Sequence, residues 1–301
     1  MAIVGYRNPN DVHACILALA RSTHLNFSVV ICENGGEPAF HALRRLLPET
    51  LPGGQPVRVL SAPDNPGYGA GVNRCLREAP DADAWWVLNP DTEPQAQAMA
   101  ALARRLAHGF DAVGGVLRAP DGSIAGYGGR WRPWMARAVA LGQGDRRRDA
   151  VDPARVERRQ NYLSGASMMI GRRFLATTGP LREDYFLFCE EVEWCLRARA
   201  RGMRLGFASE AVVLHRQGST TGSARPVANR ARGPVYLDAR NQMLLTRDLW
   251  AWRLPVAAPV ALMMLAAQYL RRGAWRQFTD SLAGWAAGLA GERGRPHWFA
   301  N

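Results

Sequence analysis

The chain contains no lysine: all 38 of its basic residues are arginine. GC-rich coding accounts for that bias more simply than chemistry does, yet guanidinium groups also favour bidentate phosphate contacts. Cysteine is scarce as well, five residues without a CxxC pair, and four of them sit inside apolar runs. That spacing favours reduced, buried thiols over a disulfide frame or a zinc site. No internal repeat or low-complexity tract is present, which excludes a solenoid or a disordered polymer. The longest uncharged run is 17 residues, 254–270, at the short limit for crossing a bilayer. A leader segment is not expected, because "MAIVGY" already reads as a strand; the protein should stay in the cytoplasm where it is made.

What remains is a globular composition, 48% hydrophobic and 21% charged over 301 residues, long enough to bury a substantial core. Charge is uneven: 7 Arg against 10 acids in residues 1–100, 17 against 11 in 101–200, and 14 against 5 in 201–301. A basic C-terminal third suits an anionic partner, whether membrane lipid, diphosphate or nucleic acid, or is simply a solvated basic face. The acidic balance of the first hundred residues and the lack of a nucleic-acid motif argue against nucleic acid.

Apolar runs at 2–6, 27–32, 56–62, 84–89 and 111–117 alternate with amphipathic patterns near 10–21, 38–47, 69–79 and 95–107. This alternation predicts an α/β fold, a doubly wound, mostly parallel, Rossmann-like sheet covered on both faces. Ligands bind such sheets at the carboxyl ends of strands, where "ENGG" (33–36), "DNPGYGAGVNR" (64–74) and "NPDTEP" (89–94) lie. Three loops that combine turn formers with amides and carboxylates predict one polar pocket. Residues 119–160 read as an exposed insertion, 162–179 as a strand leading into a helix, 203–208 as a further strand, and 212–226 as a polar loop and candidate lid.

Residues 234–292 read as helical. Pro255 and Pro259 break the first turns of the uncharged run, while Arg271, Arg272 and Arg276 stand with Trp250, Trp252, Trp275 and Trp285 around it. The pattern fits an interfacial membrane anchor; a buried docking helix and a true span are the other readings.

Asp91 arrives at a strand end, with Glu93 two residues on. A carboxylate there either holds Mg²⁺ or Mn²⁺ or caps a following helix. On a helical wheel of "FLFCEEVEWCLRAR" (186–199), Phe188, Cys189, Val192, Cys195 and Leu196 form the apolar face. Glu190 and Glu193 point away from it, Glu193 within reach of Arg197. Glu191 falls at the margin, where partial desolvation raises a carboxyl pKa and suits it to accept a proton; complementing the helix dipole is the alternative. His215 ends an apolar run near the same rim, either a structural imidazole or a partner of Asp91 in a metal site.

Taken together, "VVICENGG", "NPGYGAGVN", "WWVLNPDTEP", "YLSGASMMI", "YFLFCEEVEWCLRAR", "VVLHRQGST" and "YLDARNQMLL" resemble the bacterial members of glycosyltransferase family 2, in particular its rhamnosyltransferase-like branch. The resemblance implies a GT-A fold over residues 1–232, with a nucleotide-sugar half (1–118) and an acceptor half (119–232), followed by a helical membrane-associating segment (233–301). It implies Glu191 as general base and Asp91 with His215 at a Mg²⁺ or Mn²⁺ ion. Glu33 would contact the nucleobase, and Tyr6, Asn65, Gly71, Asn73, Asn89 and the pair Arg240–Asn241 would belong to the donor site. The family's usual strand-two Asp is Glu33 here, the first Asp of its Asp-x-Asp is Asn89, and its Glu-Asp pair is Glu190–Glu191. The expected reaction is inverting transfer from a nucleotide-diphosphate sugar, dTDP-L-rhamnose by branch, onto a lipid-linked saccharide at the inner membrane face, with Arg216 closing over the phosphates. A UDP-hexose donor and a non-catalytic nucleotide-binding module are the alternatives.

Overall fold

A computed structural model describes residues 1–146, 151–216 and 226–299. The first apolar runs form β1 (Ala2–Gly5), β2 (Val29–Glu33), β3 (Val57–Ser61) and β4 (Ala84–Leu88), joined by α1 (Pro9–Leu19), α2 (Glu37–Leu46) and α3 (Tyr68–Arg77). These four strands are mutually parallel. Side chains alternate across the sheet: Ala2, Val4, Val30 and Cys32 enter the core on one face, Ile3, Val29 and Ile31 on the other. Both faces are therefore covered, as continuous apolar strands require. All five cysteines are buried and free.

The second half adds β5 (Thr92–Pro94), α4 (Ala98–Ala107), β6 (Ala112–Arg118), β7 (Ile124–Gly126), β8 (Gly129–Arg132), β9 (Arg137–Ala140), α5 (Pro153–Arg159), β10 (Ser167–Gly171), α6 (Arg172–Thr178), α7 (Glu190–Ala200) and β11 (Leu205–His215). The main sheet runs β3-β2-β1-β4-β10-β6-β11-β5, with β7 beside β6. β10 lies antiparallel between β4 and β6, so the expected parallel sheet is mixed from its middle onward. The runs read as separate at 203–208 and 212–215 are one strand whose pairing to β6 shifts register between Phe207 and Val212. The stretch 119–160 is not simply exposed: Tyr127, Trp131 and Val156 are buried, while Trp134 and Val139 are exposed. The candidate lid lies largely outside the described residues.

Three helices follow: α8 (Arg232–Trp250), α9 (Leu254–Leu270) and α10 (Trp275–Ala290). Helix α9 runs unbroken through both prolines, contrary to the sequence expectation. Pro255 sits in the first turn, where no intrahelical N–H is needed, and Pro259 forfeits one bond. Met243, Leu244 and Leu245 of α8 join the same core as Tyr185 and Val192, so the tail is welded to the sheet domain. Helices α8 and α10 approach backbone to backbone, because a Cβ at Gly284 or Gly288 would land on the carbonyl of Tyr236 or Arg240. Gly288→Ala should therefore cost about 1–3 kcal/mol in urea unfolding, by forcing α10 off α8; an unchanged midpoint would show that the contact yields.

Candidate functional site

At the carboxyl ends of β1, β2 and β4 a cavity of about 480 Å³ opens, walled also by the residues preceding β10 and the turn before α7. Its polar wall carries Tyr6, Asn34, Asn65, Asn89, Asp91 and His215; Glu190 and Glu191 face it from the start of α7. Its apolar wall is Phe186, Leu187, Phe188, Pro234 and Phe299. The three loops singled out in the sequence thus do converge on one pocket.

Six predicted residues line that cavity: Tyr6, Asn65, Asn89, Asp91, Glu191 and His215. Asn89 Oδ1 accepts a 3.1 Å bond from the Tyr68 hydroxyl. His215 Nε2 lies 3.3 Å from Asp91 Oδ1, and its buried Nδ1 has no hydrogen-bond partner among the described residues. Asp91 caps no helix: the chain continues into β5, and α4 begins only at Ala98. No group of three or more His, Cys, Asp or Glu side chains able to hold a metal occurs among the described residues. A single carboxylate with one imidazole nonetheless fits an ion whose remaining ligands are water and diphosphate oxygens, the usual manner of Mg²⁺.

The other five predicted residues stand behind the wall rather than on it. Glu33 is buried, its Oε1 accepting from the backbone N–H groups of Arg7 at 3.0 Å and Gly35 at 2.8 Å, which ties the β1 and β2 loops together. Burial raises its pKa, and those two bonds partly offset the rise. Gly71 lets α3 lie against Val4, whose methyl groups a Cβ would meet at 2.9 Å. Asn73 clamps the chain before α7, accepting from Leu181 N–H at 3.0 Å and donating to Leu181 O and Glu183 Oε1 at 2.9 Å.

Arg240 and Asn241 hold the apolar wall. Asn241 Nδ2 donates to the carbonyls of Tyr185, Leu187 and Phe188 at 2.9, 2.7 and 2.9 Å, and Arg240 donates to Tyr185 O at 3.0 Å and Gly294 O at 2.7 Å. The turn they grip is strained: Phe186, Phe188 and Cys189 have φ of 68°, 73° and 69°. A left-handed backbone costs non-glycine residues on the order of 1–2 kcal/mol each.

That turn corrects the helical wheel. Helix α7 starts at Glu190, so Phe188 and Cys189 are not part of it, and Glu190 and Glu193 are both buried at 2% exposure. Glu193 makes the expected bidentate pair with Arg197, at 2.8 and 2.9 Å, but beneath the surface. Glu190 faces the cavity with Oε2 unpartnered among the described residues. Burial raises the pKa of Glu190 well above the ordinary glutamate value, with the Glu191 charge adding to it, and burial raises that of half-buried Glu191 too. Arg216, expected over phosphates, instead pairs with Glu93 at 2.5 Å.

Sequence reasoning missed Asn34, Tyr68, Glu190 and Phe299 as wall residues. The first three lie in motifs already quoted, where fold geometry alone decides which side chain turns inward. Phe299 carries no local signal. It stacks edge-on against Phe186 with centroids 5.6 Å apart, and its carbonyl accepts from Arg295, which also donates to Asp64 O.

The family model described as "Glycosyltransferase like family 2" matches residues 1–233. A curated relative, N-acetylglucosaminyl-diphospho-decaprenol L-rhamnosyltransferase of Mycobacterium tuberculosis, is 27% identical over 240 residues, 69% of this chain and 72% of its own. Among solved structures, the mannosyltransferase PcManGT of Pyrobaculum calidifontis, in complex with GDP-Man and Mn²⁺, aligns with TM-score 0.59 at 14% identity, over 96% of this chain and 86% of that one. GalNAc-T7 with UDP, GalNAc and Mn²⁺ aligns with TM-score 0.56 at 14% identity, over 83% of this chain and 47% of that one.

If the apolar wall hangs on Asn241, then Asn241→Ala, which orphans three carbonyls, should cost about 1–3 kcal/mol in thermal or denaturant unfolding and weaken ligand binding in the cavity. Wild-type stability in that variant would show the turn to be self-supporting.

Proposed function

The chain belongs to glycosyltransferase family 2, and from that membership we propose that it transfers a sugar with inversion from a nucleotide-diphosphate donor to a hydroxyl of a lipid-linked saccharide. The observation that carries this reading is the presence of Asp91, His215 and Glu191 on the wall of one cavity. In it Glu191 takes the proton from the acceptor hydroxyl as that oxygen attacks the anomeric carbon and the bond to the diphosphate breaks. Its half-buried position, against Gly165 and beside Glu190, holds the carboxylate where water competes poorly for it.

Asp91 and His215 are the residues that would hold Mg²⁺ or Mn²⁺, whose charge, when bound, neutralises the leaving diphosphate. Tyr6, Asn65 and Asn89 face the donor. Glu33, Gly71, Asn73, Arg240 and Asn241 keep the walls in place, so substitutions there weaken binding indirectly. dTDP-L-rhamnose is the preferred donor, supported by the name of the mycobacterial relative, with a UDP-hexose as the alternative. The proposed setting is cell-surface or exopolysaccharide synthesis at the inner face of the bacterial cytoplasmic membrane. Residues 1–232 would be the transferase unit, with 233–301 as its membrane-associating segment. The run Arg232–Leu270 is long and apolar enough to cross a membrane by length and composition, although the protein's own fold packs part of it away.

Glu191→Gln should abolish transfer while leaving donor affinity, measured by calorimetry, within about twofold; equal loss of both would make Glu191 a structural residue. Offering wild-type protein a panel of nucleotide sugars with Mn²⁺ tests the donor, and stabilisation by a UDP-hexose but not dTDP-L-rhamnose would overturn the preferred one.

The pH dependence follows from burial. Glu191 acts unprotonated with a raised pKa, so the acid limb of kcat/KM should fall above the ordinary glutamate value of 4.5. Stability runs the other way, since a carboxyl with a raised folded pKa favours folding when neutral and loses that contribution as pH rises through the folded pKa. Glu190→Gln should therefore raise Tm at pH 7, with the gain fading towards pH 4. A lowered Tm at pH 7 would mean that the charge of Glu190 is compensated.

A further inference from the structure

Helix α9 is apolar on its outside. Its inner face is Ala257, Ala258, Ala261, Leu265 and Tyr269, packed against the neighbouring helices, and Ala258 O accepts from Trp285 Nε1 at 3.0 Å. Outward, at helical spacings of four, three and four, stand Trp252 (65% exposed), Val256 (49%), Pro259 and Met263 (64%). An apolar outer stripe departs from the usual pattern of a surface helix, which turns polar residues outward.

One end of this stripe is a cluster. The Arg253 guanidinium lies 4.6 Å from the ring centroid of Trp252, 5.6 Å from that of Trp250 and 4.8 Å from that of Trp134, and Trp134 meets Trp252 edge-on at 5.3 Å. Trp134 comes from the β8–β9 turn, on a different part of the fold. Arg253 has no ion pair among the described residues, and its buried Nε has no hydrogen-bond partner there. At the far end Arg271, Arg272 and Arg276 are exposed. No acidic residue occurs between Asp248 and Asp280.

We propose that the outer stripe of α9, with Trp134 and Arg253, is a membrane-docking face that lies flat in the headgroup region of an anionic bilayer, with Arg253 seated on a lipid phosphate. This deepens the lipid-linked-acceptor reading, on which its biological setting rests, by naming the surface; the geometry stands whatever sugar is moved. Tryptophan suits the interface because one end of the ring is apolar and the other wet, and guanidinium flanked by indoles keeps its charge free for phosphate. A helix of 17 residues presents about 25 Å of such stripe, enough for interfacial binding without crossing. A second copy of the chain fits worse, since a two-fold contact would set an arginine-bearing, acid-free face against itself. Because Trp134 and Trp252 come from segments more than a hundred residues apart yet share one seat, docking would fix the orientation of the whole cavity to the bilayer.

The test is co-sedimentation of the full chain with vesicles of phosphatidylcholine alone or with added phosphatidylglycerol. Wild type should bind the anionic vesicles, Met263→Glu should lose roughly tenfold in partitioning, and Arg253→Gln should lose about fivefold, chiefly on anionic vesicles. Millimolar inorganic phosphate should not compete; if it does, the seat takes free phosphate and the bilayer assignment falls. Equal binding by wild type and Met263→Glu, or a wild-type dimer in sedimentation equilibrium that Met263→Glu dissociates, would overturn the proposal. Nucleotide-sugar calorimetry on each variant separates the outcomes: a variant that binds donor is folded, and wild type that binds vesicles but no donor sinks the transferase reading alone.

Discussion

The cavity depends on a few hydrogen bonds made by one buried side chain. Asn241 places its amide against three carbonyls of the turn before α7, and Arg240 takes one of the same carbonyls with a second donor. That grip helps to hold Phe186, Phe188 and Cys189 in left-handed backbone. The turn in turn sets where α7 begins, and so where Glu190 and Glu191 point. Its Phe186 carbonyl also accepts the Tyr68 N–H at 2.8 Å, and Gly67 has no room for a Cβ there, so the start of α3 is keyed to the same turn. Polar and apolar walls are thus registered to each other through one strained segment, held from behind by a helix that follows the sheet domain in sequence.

This arrangement explains what could be read in the sequence and what could not. Strand ends were legible because their position follows from apolar runs punctuated by turn formers, a local property. The convergence of "ENGG", "NPGYG" and "NPDTEP" on one pocket followed from parallel topology. What failed was the wheel on 186–199, since it assumed one continuous helix. Periodicity cannot register three successive departures into left-handed backbone, which are stabilised by side chains more than fifty residues away. The wheel accordingly turns Glu190 and Glu193 away from the apolar face, whereas both are buried. The resemblance places Arg240 and Asn241 in the donor site, whereas their polar atoms turn to the protein's own carbonyls. Phe299 was invisible because nothing near it in sequence touches the site; only its neighbours in space, Phe186 and the chain at Gly233, give it meaning.

A buried carboxyl group beside a half-buried one is a poor stabilising element. Burial favours the neutral form of both Glu190 and Glu191, and Glu190 has an oxygen with no partner among the described residues. Glu193 shows what the same helix does when only stability is at stake: its carboxylate is closed by two bonds from Arg197. Two open carboxyl groups at the mouth of α7, one turn from a fully satisfied third, are what the proposed reaction asks of groups that meet a ligand or a proton.

The docking face adds a constraint that the catalytic residues cannot supply. In the proposed reaction, an acceptor hydroxyl carried on a membrane-bound lipid reaches Glu191 only if the cavity faces the bilayer at the right height. A flexible tether would leave that geometry to chance. Here α8 carries Arg240 and Asn241 in its middle and runs into the Trp250–Arg253 cluster at its end, while Trp134 joins the cluster from the sheet domain. The residues that grip the turn before α7 and Trp250 of the cluster proposed to meet the lipid surface belong to one helix, so α8 would transmit docking to the cavity as orientation rather than as a conformational change.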